Sequence, residues 1–161
     1  MKLPTWKDLK FNVKNILWNE MPQTFKEFKE RHSRAFSKAL GTYLTKINQH
    51  NKDMFLKIYQ IIFYYGFINF RKELELFNFL IKNGYDVQIS NLLNDAIYGI
   101  DLIAIKNGVE YLIQVKSNFN NYDLKTMPNL VNNCSKIGVL AVKIGNHWLF
   151  KNMLNLEQIL F

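Results

Sequence analysis

Residues 98–117 read YGIDLIAIKNGVEYLIQVKS, with two apolar runs on either side of Asn107 and Gly108. Asn-Gly between β-rich runs favours a type I′ turn, because both central residues of that turn need positive φ. Such a turn places Lys106 opposite Val109, and this pair fixes every other pair of the two strands. The stretch therefore predicts a β-hairpin with a defined register.

Three polar side chains share one face of this predicted hairpin. The register places Asp101 opposite Gln114, with Cβ atoms roughly 5 Å apart, and strand alternation returns Lys116 to the same face. Such groups are costly to bury without partners. Mg²⁺ prefers carboxylate and carbonyl oxygens, and a lysine beside it would orient a water and stabilise phosphate charge. The alternative is a surface hairpin whose polar face meets solvent.

Length and composition indicate a folded protein. The chain has 161 residues, of which 48% are hydrophobic, enough for one domain with an extension. No apolar run approaches the roughly 20 residues that cross a bilayer, and residues 1–14 lack the apolar core of a signal peptide. The single cysteine, Cys134, excludes an internal disulfide. We expect an intracellular protein of the cytoplasm, nucleoid or an organelle, without a membrane partner.

The net charge of +8 is unevenly distributed. Residues 1–66 carry 12 Lys and Arg against 5 Asp and Glu, whereas residues 67–161 carry 9 against 8. A basic half favours a polyanionic partner, most often nucleic acid. The alternative is an ordinary set of solvated lysines.

Residues 1–66 predict a basic, all-α extension. A helix begins at Thr24, where Glu27 completes a capping box, and a later helix over 51–65 ends near Gly66. The extension would provide nucleic-acid grip or an oligomerisation surface. Its candidate nucleic-acid-binding residues are Lys26, Lys29, Arg31, Arg34 and Lys38.

Residues 67–161 predict a second domain that opens with a helix over 67–83. Helical periodicity places Glu73 within its apolar stripe and points Glu75 towards solvent. A structural ion pair is the alternative explanation for Glu73. The stripe consists of Phe70, Leu74, Phe77, Leu80 and Ile81.

The remaining pattern predicts an α/β fold with a mixed sheet, of the α+β kind. After the strand over 85–90 and the hairpin, the order continues with a helix over 123–133 and two strands. We expect the tail to close with a helical turn. The two strands and the tail are predicted over 137–144, 147–150 and 154–161.

This order and its residues resemble the restriction-endonuclease-like, PD-(D/E)xK nuclease superfamily, and most closely archaeal Holliday junction resolvases and Mrr-type endonucleases. The resemblance covers residues 71–150. Most members have Glu where this chain has Gln114, which removes one negative charge from the site. The matching segments are the Glu73 helix ending in Gly84-Tyr85, then Asp101-Leu102-Ile103-Ala104, Gln114-Val115-Lys116, Val139-Leu140-Ala141-Val142-Lys143 and Trp148.

The resemblance implies an αβββαβ core and a metal-dependent DNA endonuclease. Asp101 would be the principal Mg²⁺ ligand, with Gln114 and the Val115 carbonyl completing the protein side of the shell. Lys116 would position the attacking water, and Glu73 would hold a water of the metal shell or a second ion. Mn²⁺ is an expected substitute for Mg²⁺.

The resemblance also implies partners and a range of substrates. The DNA would be double-stranded or branched, cut either in the manner of a junction resolvase or at specific sites, as homing and restriction enzymes do. Cutting two strands would need a homodimer or tetramer. The alternative function is a non-catalytic nucleic-acid-binding relic in a larger assembly, which Gln114 permits. A protein-interaction module is less favoured by the basic half.

Overall fold

The computed structural model describes residues 1–90, 99–120 and 136–161. Two compact units divide the chain, unit 1 over residues 1–71 and unit 2 over residues 72–161. The division falls inside a helix, whereas the sequence predicted a boundary after residue 66. The predicted helix over 123–133 lies outside the described residues.

Unit 1 is helical. Thr24 caps the third helix through a bond from the Glu27 N–H (3.2 Å), but the Glu27 carboxylate accepts from the Gln23 N–H (3.0 Å). Within the described ranges, no helix is long and apolar enough to cross a membrane. The helices are α1 (Trp6–Leu9), α2 (Val13–Glu20), α3 (Phe25–Lys46), α4 (Lys52–Tyr59) and α5 (Tyr65–Lys82), with a π-helical turn over Gln60–Tyr64 between the last two.

The predicted helix end near Gly66 is wrong, because the chain stays helical from α4 into α5. A Cβ at Gly66 would lie 3.2 Å from Cγ1 of Val13. That distance is tighter than most real Cβ contacts. Gly66 therefore permits close packing of α2 against α5 and does not end a helix.

Stacked aromatic rings form the centre of unit 1. Phe28, Phe36 and Phe63 are completely buried. The Phe63 ring stacks on Phe28 with centroids 4.4 Å apart and on Phe36 with centroids 5.0 Å apart. Each such pair adds about 0.5–1.5 kcal/mol beyond the burial of its area.

Unit 2 contains a six-stranded sheet in the order β1-β2-β3-β4-β5-β6. Only the central pair, β3 with β4, is parallel, and the other neighbours are antiparallel. The predicted mixed sheet with helices is therefore confirmed. The strands are β1 (Asp86–Ile89), β2 (Leu102–Lys106), β3 (Val109–Lys116), β4 (Lys136–Ile144), β5 (His147–Asn152) and β6 (Gln158–Ile159).

The β2–β3 hairpin has the predicted register. Lys106 pairs with Val109, and pairing continues in step to Leu102 opposite Ile113. Asn107 (φ 54) and Gly108 (φ 76) have the positive φ that a type I′ turn needs. The hairpin prediction is confirmed.

Helix α5 packs against one face of the sheet through a stripe that shares Leu80 with the predicted one. Leu76 and Leu80 are completely buried, whereas Ile81 is 49% exposed. The Phe79 ring stacks on Phe150 of β5 with centroids 6.0 Å apart. The buried face therefore centres on Leu76, so the inclusion of Ile81 in the stripe was wrong.

The predicted helical turn at the tail is also wrong. The chain forms the short strand β6, in which Ile159 pairs with Phe150. Asn152 and Asn155 accept bonds from the backbone N–H groups of Leu154 (2.8 Å) and Glu157 (2.9 Å). Such local side-chain bonds favour turns over helix.

Candidate functional site

The hairpin positions the Asp101 carboxylate directly on β3. The Asp101 N–H donates to the Ile113 carbonyl (2.8 Å), and the Asp101 carbonyl accepts from the Ser90 N–H (3.1 Å). Asp101 Oδ2 accepts from the Val115 N–H (2.8 Å). Because β2 begins only at Leu102, the carboxylate takes the place that a paired strand's carbonyl would have. Backbone and side chain of Asp101 are thus fixed together.

Gln114 is a buried polar residue that directly precedes Val115, whose N–H binds this carboxylate. It is 7% exposed, and its Oε1 has no hydrogen-bond donor among the described residues. A buried acceptor left unpaired costs about 1–3 kcal/mol. The carboxamide oxygen therefore has the capacity to bind a further group.

Lys116 lies on the same face of β3 as Gln114, two residues further along the strand. It is half-buried and forms no ion pair with any residue that the structure describes. Lys143 of β4 is different, since it is paired with the Glu75 carboxylate. The position of Lys116 on the Gln114 face of β3 is therefore not explained by an ion pair with a described residue.

The two α5 glutamates differ in environment. Glu75 is exposed and paired with Lys143, and Glu73 is half-buried. Glu73 is therefore the more buried of the two, as predicted, although Glu75 has a partner in the sheet. The Phe79 ring of α5 stacks on Phe150, which shares a sheet face with Val115 and not with Gln114. A role for Glu73 in the site therefore stays a prediction.

Sequence reasoning gave no role to Gly99, which the structure places against the candidate site. A Cβ at Gly99 would lie 2.3 Å from Nε2 of Gln114. The available signal was a glycine two residues before the candidate metal ligand. Its meaning depends on a contact with β3 that no sequence pattern specifies.

The donor set fits a small hard cation. It combines one carboxylate, the Gln114 carboxamide oxygen and the Val115 carbonyl, all of them oxygens of the kind that Mg²⁺ prefers. The unpartnered Gln114 Oε1 supports this fit. Among the described residues, no group of three or more His, Cys, Asp or Glu side chains is arranged to hold a metal ion, so the candidate site depends on the carboxamide and the backbone.

The five predicted nucleic-acid-binding residues all lie on α3 and are exposed. Arg31 is paired with Glu27 (2.8 Å) and Lys26 with Glu30 (4.0 Å). The remaining three form no ion pair within the described part of the chain; they are Lys29, Arg34 and Lys38. With spacings of three and four, Arg31, Arg34 and Lys38 share one helix face.

Comparison with known proteins gives no match to a family model, to a curated protein or to a solved structure. A functional assignment for this chain therefore rests on its residues and their geometry. The relevant geometry is that of Asp101, Gln114 and Lys116 on one hairpin.

Proposed function

We propose that the chain is a metal-dependent endonuclease that hydrolyses phosphodiester bonds in DNA at Asp101, Gln114 and Lys116. One observation carries the proposal. The Asp101 carboxylate is fixed on β3 at Val115, and the preceding residue of that strand, Gln114, has a buried carboxamide oxygen with no donor among the described residues. A divalent cation would give the Gln114 oxygen the partner that the described residues do not supply, with the Asp101 carboxylate as its charged ligand.

The order of elements supports the more specific assignment to a restriction-endonuclease-like core. Helix α5 precedes three antiparallel strands, and β4 then pairs in parallel with β3. This order is the one expected from the resemblance to PD-(D/E)xK nucleases. Gln114 and Lys116 lie on β3 and Asp101 directly precedes β2, which supports the same assignment.

The chemistry divides between the bound cation and the side chains. A divalent cation, when bound, polarises a phosphoryl oxygen and compensates charge at the scissile phosphate. Asp101 and Gln114 would hold it, with the Val115 N–H keeping the Asp101 carboxylate in one orientation. The Lys116 ammonium orients the attacking water and stabilises the negative charge that develops on phosphate oxygens. Water attacks phosphorus and gives up a proton to solvent, the bond to the leaving ester oxygen breaks, and that oxygen takes a proton from solvent.

Unit 1 would supply most of the attraction to DNA. It contains 13 Lys and Arg against 5 Asp and Glu, so the whole net charge of +8 lies within it. The shared face of Arg31, Arg34 and Lys38 is the natural contact for phosphates. Two coordinated cuts would need two copies of the site, which favours a homodimer or tetramer. A DNA substrate also favours an intracellular location.

The direct test is cleavage of supercoiled plasmid and of a four-way DNA junction, with Mg²⁺, with Mn²⁺ and with EDTA. The wild-type protein should cleave only with metal. Asp101→Asn keeps an acceptor for the Val115 N–H but removes the charge, so cleavage should fall by at least about 10²-fold. The matched control, Asp86→Asn, changes an exposed aspartate of β1 and should cleave normally.

Two outcomes would contradict the proposal. Cleavage that persists in EDTA, or full activity of Asp101→Asn, would show that the proposed metal site is not the catalytic site. Salt-dependent DNA binding without cleavage of either substrate would instead favour the non-catalytic nucleic-acid-binding protein, which the neutral Gln114 permits.

A further inference from the structure

Gly99 is held in a conformation and a position that other residues cannot easily adopt. Its φ is +65, in the left-handed region. A Cβ built there would lie 2.3 Å from Nε2 and 3.5 Å from Cδ of Gln114. The Gln114 carboxamide therefore occupies the space that a side chain at residue 99 would take.

The other described glycines with positive φ do not have this relation to a neighbour. A Cβ at Gly108 or Gly145 would meet nothing within 4 Å, and one at Gly84 would approach only the flexible end of Lys106, at 3.7 Å. At these positions glycine serves the backbone alone. At Gly99 the missing side chain also decides where another side chain lies.

The segment from Gly99 to Asp101 meets β3 at three successive residues. The Asp101 N–H bonds to the Ile113 carbonyl (2.8 Å), Gly99 contacts the Gln114 carboxamide, and Asp101 Oδ2 accepts from the Val115 N–H (2.8 Å). The contact at Gly99 is made on the nitrogen side of the carboxamide. Oε1 is therefore at the far end of a side chain whose position the glycine sets.

We propose that Gly99 is a positioning residue, which seats the Gln114 carboxamide and so sets the location of Oε1 relative to the Asp101 carboxylate. The inference rests on the proposed function for its consequence, since Oε1 is the oxygen assigned there to the cation. A neutral carboxamide is a weaker cation ligand than a carboxylate, so its placement matters more. Any side chain at residue 99 would displace the carboxamide and weaken the site.

A double-mutant cycle tests the packing contact between Gly99 and the Gln114 carboxamide, called the seat below, independently of activity. The variants are Gly99→Ala, Gln114→Ala and their combination. Gly145→Ala is the matched control, because it has similar strain at φ +60 but open space around its Cβ. In the wild-type background Gly99→Ala should lower the urea midpoint of unfolding more than Gly145→Ala does. In the Gln114→Ala background, Gly99→Ala and Gly145→Ala should lower the urea midpoint by the same amount.

A titration with Mg²⁺ tests the consequence for the site. Gly99→Ala should weaken Mg²⁺ binding by a factor similar to that of Gln114→Ala, and Gly145→Ala should leave it unchanged. The Mg²⁺ concentration for half-maximal plasmid cleavage should rise in step, with partial recovery of the rate at high Mg²⁺. This recovery separates a misplaced ligand from a misfolded protein.

The outcomes separate the seat from the function. Equal costs for Gly99→Ala and Gly145→Ala in both backgrounds would overturn the seat. If Gly99→Ala does not fold, folding of the Gly99→Ala/Gln114→Ala protein supports the seat, and its failure to fold overturns it. The double-mutant cycle could show coupling while the wild-type protein does not bind Mg²⁺. The proposed function would then be wrong, and the positioning role would fail with it. The packing contact between Gly99 and Gln114 would still stand.

Discussion

The two units differ in charge and in the way their interiors are built. Unit 1 carries the entire net charge of +8, whereas unit 2 has 8 Lys and Arg against 8 Asp and Glu. Stacked phenyl rings form the centre of unit 1. The interior of unit 2 includes an aliphatic cluster with Leu112 and Leu140 of the sheet. A lysine half-buried in a neutral unit is not explained by general attraction to DNA. The difference supports the proposed division of roles, in which unit 1 would bind DNA and unit 2 would carry the chemistry.

The largest expected effect concerns Lys116. Lys116→Ala should reduce cleavage by at least about 10²-fold, because one positioned cation at the phosphate is lost. DNA affinity, measured by fluorescence anisotropy in EDTA, should stay close to the wild-type value. The comparison of the two units would then be sharpened, since chemistry would fail without loss of binding.

Lys143→Ala is the control for that change. It removes the same charge from a half-buried lysine of the neighbouring strand, where the partner is Glu75. This variant should cleave at close to the wild-type rate. Equal losses in the two variants would show that Lys116 contributes only charge or stability.

The next effect concerns the carboxamide of Gln114. Gln114→Glu should lower the free energy of unfolding in EDTA by roughly 1–3 kcal/mol, because it places a buried carboxylate near Asp101. Mg²⁺ should reverse the loss by binding the folded state, and its affinity should exceed that of the wild-type protein. Urea unfolding with and without Mg²⁺ measures both changes.

Gln88→Glu introduces the same change on an exposed position of β1 and should show neither effect. A Gln114→Glu protein that is as stable as wild type in EDTA, and indifferent to Mg²⁺, would contradict the metal site. The proposed DNA-binding role of unit 1 would be unaffected by that result.

A smaller effect tests unit 1. The double variant Arg34→Gln/Lys38→Gln should reduce the slope of log affinity against log salt by about 1.8, if both residues contact phosphates of duplex DNA. Lys52→Gln/Lys57→Gln removes the same charge from two exposed lysines of α4. Similar slopes for the two double variants would show that the α3 face is not a specific contact for DNA phosphates. The proposed DNA-binding role of this face would then be wrong.

The smallest expected effect concerns Tyr85, which directly precedes β1, and the pH dependence of stability. Burial, and then the charge of Tyr111, raise the pKa of Tyr85 above its ordinary value of 10.0. Because the folded protein holds this proton more tightly, the contribution to stability is present below about pH 10 and is lost as the pH rises through the raised pKa. Tyr85→Phe should flatten the decline above about pH 10, as measured by urea unfolding. Tyr65→Phe, at a position 47% exposed, should not. Parallel curves for wild type and Tyr85→Phe would refute the effect.

The features predicted correctly from sequence depend on local chemistry. Asn107-Gly108 specifies its own turn, and the turn specifies the register of the hairpin, so the placement of Gln114 and Lys116 on one face followed directly. The end of α5 at Lys82 was signalled by Asn83-Gly84. In each case residues adjacent in sequence determine the geometry.

The features predicted wrongly depend on contacts between distant segments. Glycine often ends helices, but Gly66 lies close to Val13 in a segment that stays helical. The tail forms a strand, and its Phe161 ring packs on Phe150 with centroids 4.2 Å apart. The seat of Gln114 on Gly99 belongs to the same class. Such contacts become visible only when the fold is known.

The short Asn107-Gly108 turn also has a consequence for the order of folding. Hairpins form within about 1–10 μs, whereas the parallel pair β3–β4 must first close the connection over residues 117–135. Asp101, Gln114 and Lys116 all belong to the hairpin and its immediate flank. We expect the candidate site to assemble early, with the Val115 amide protected through Asp101 before β4 docks. Pulse-labelled hydrogen exchange would reveal this order as protection at Val115 ahead of Leu140.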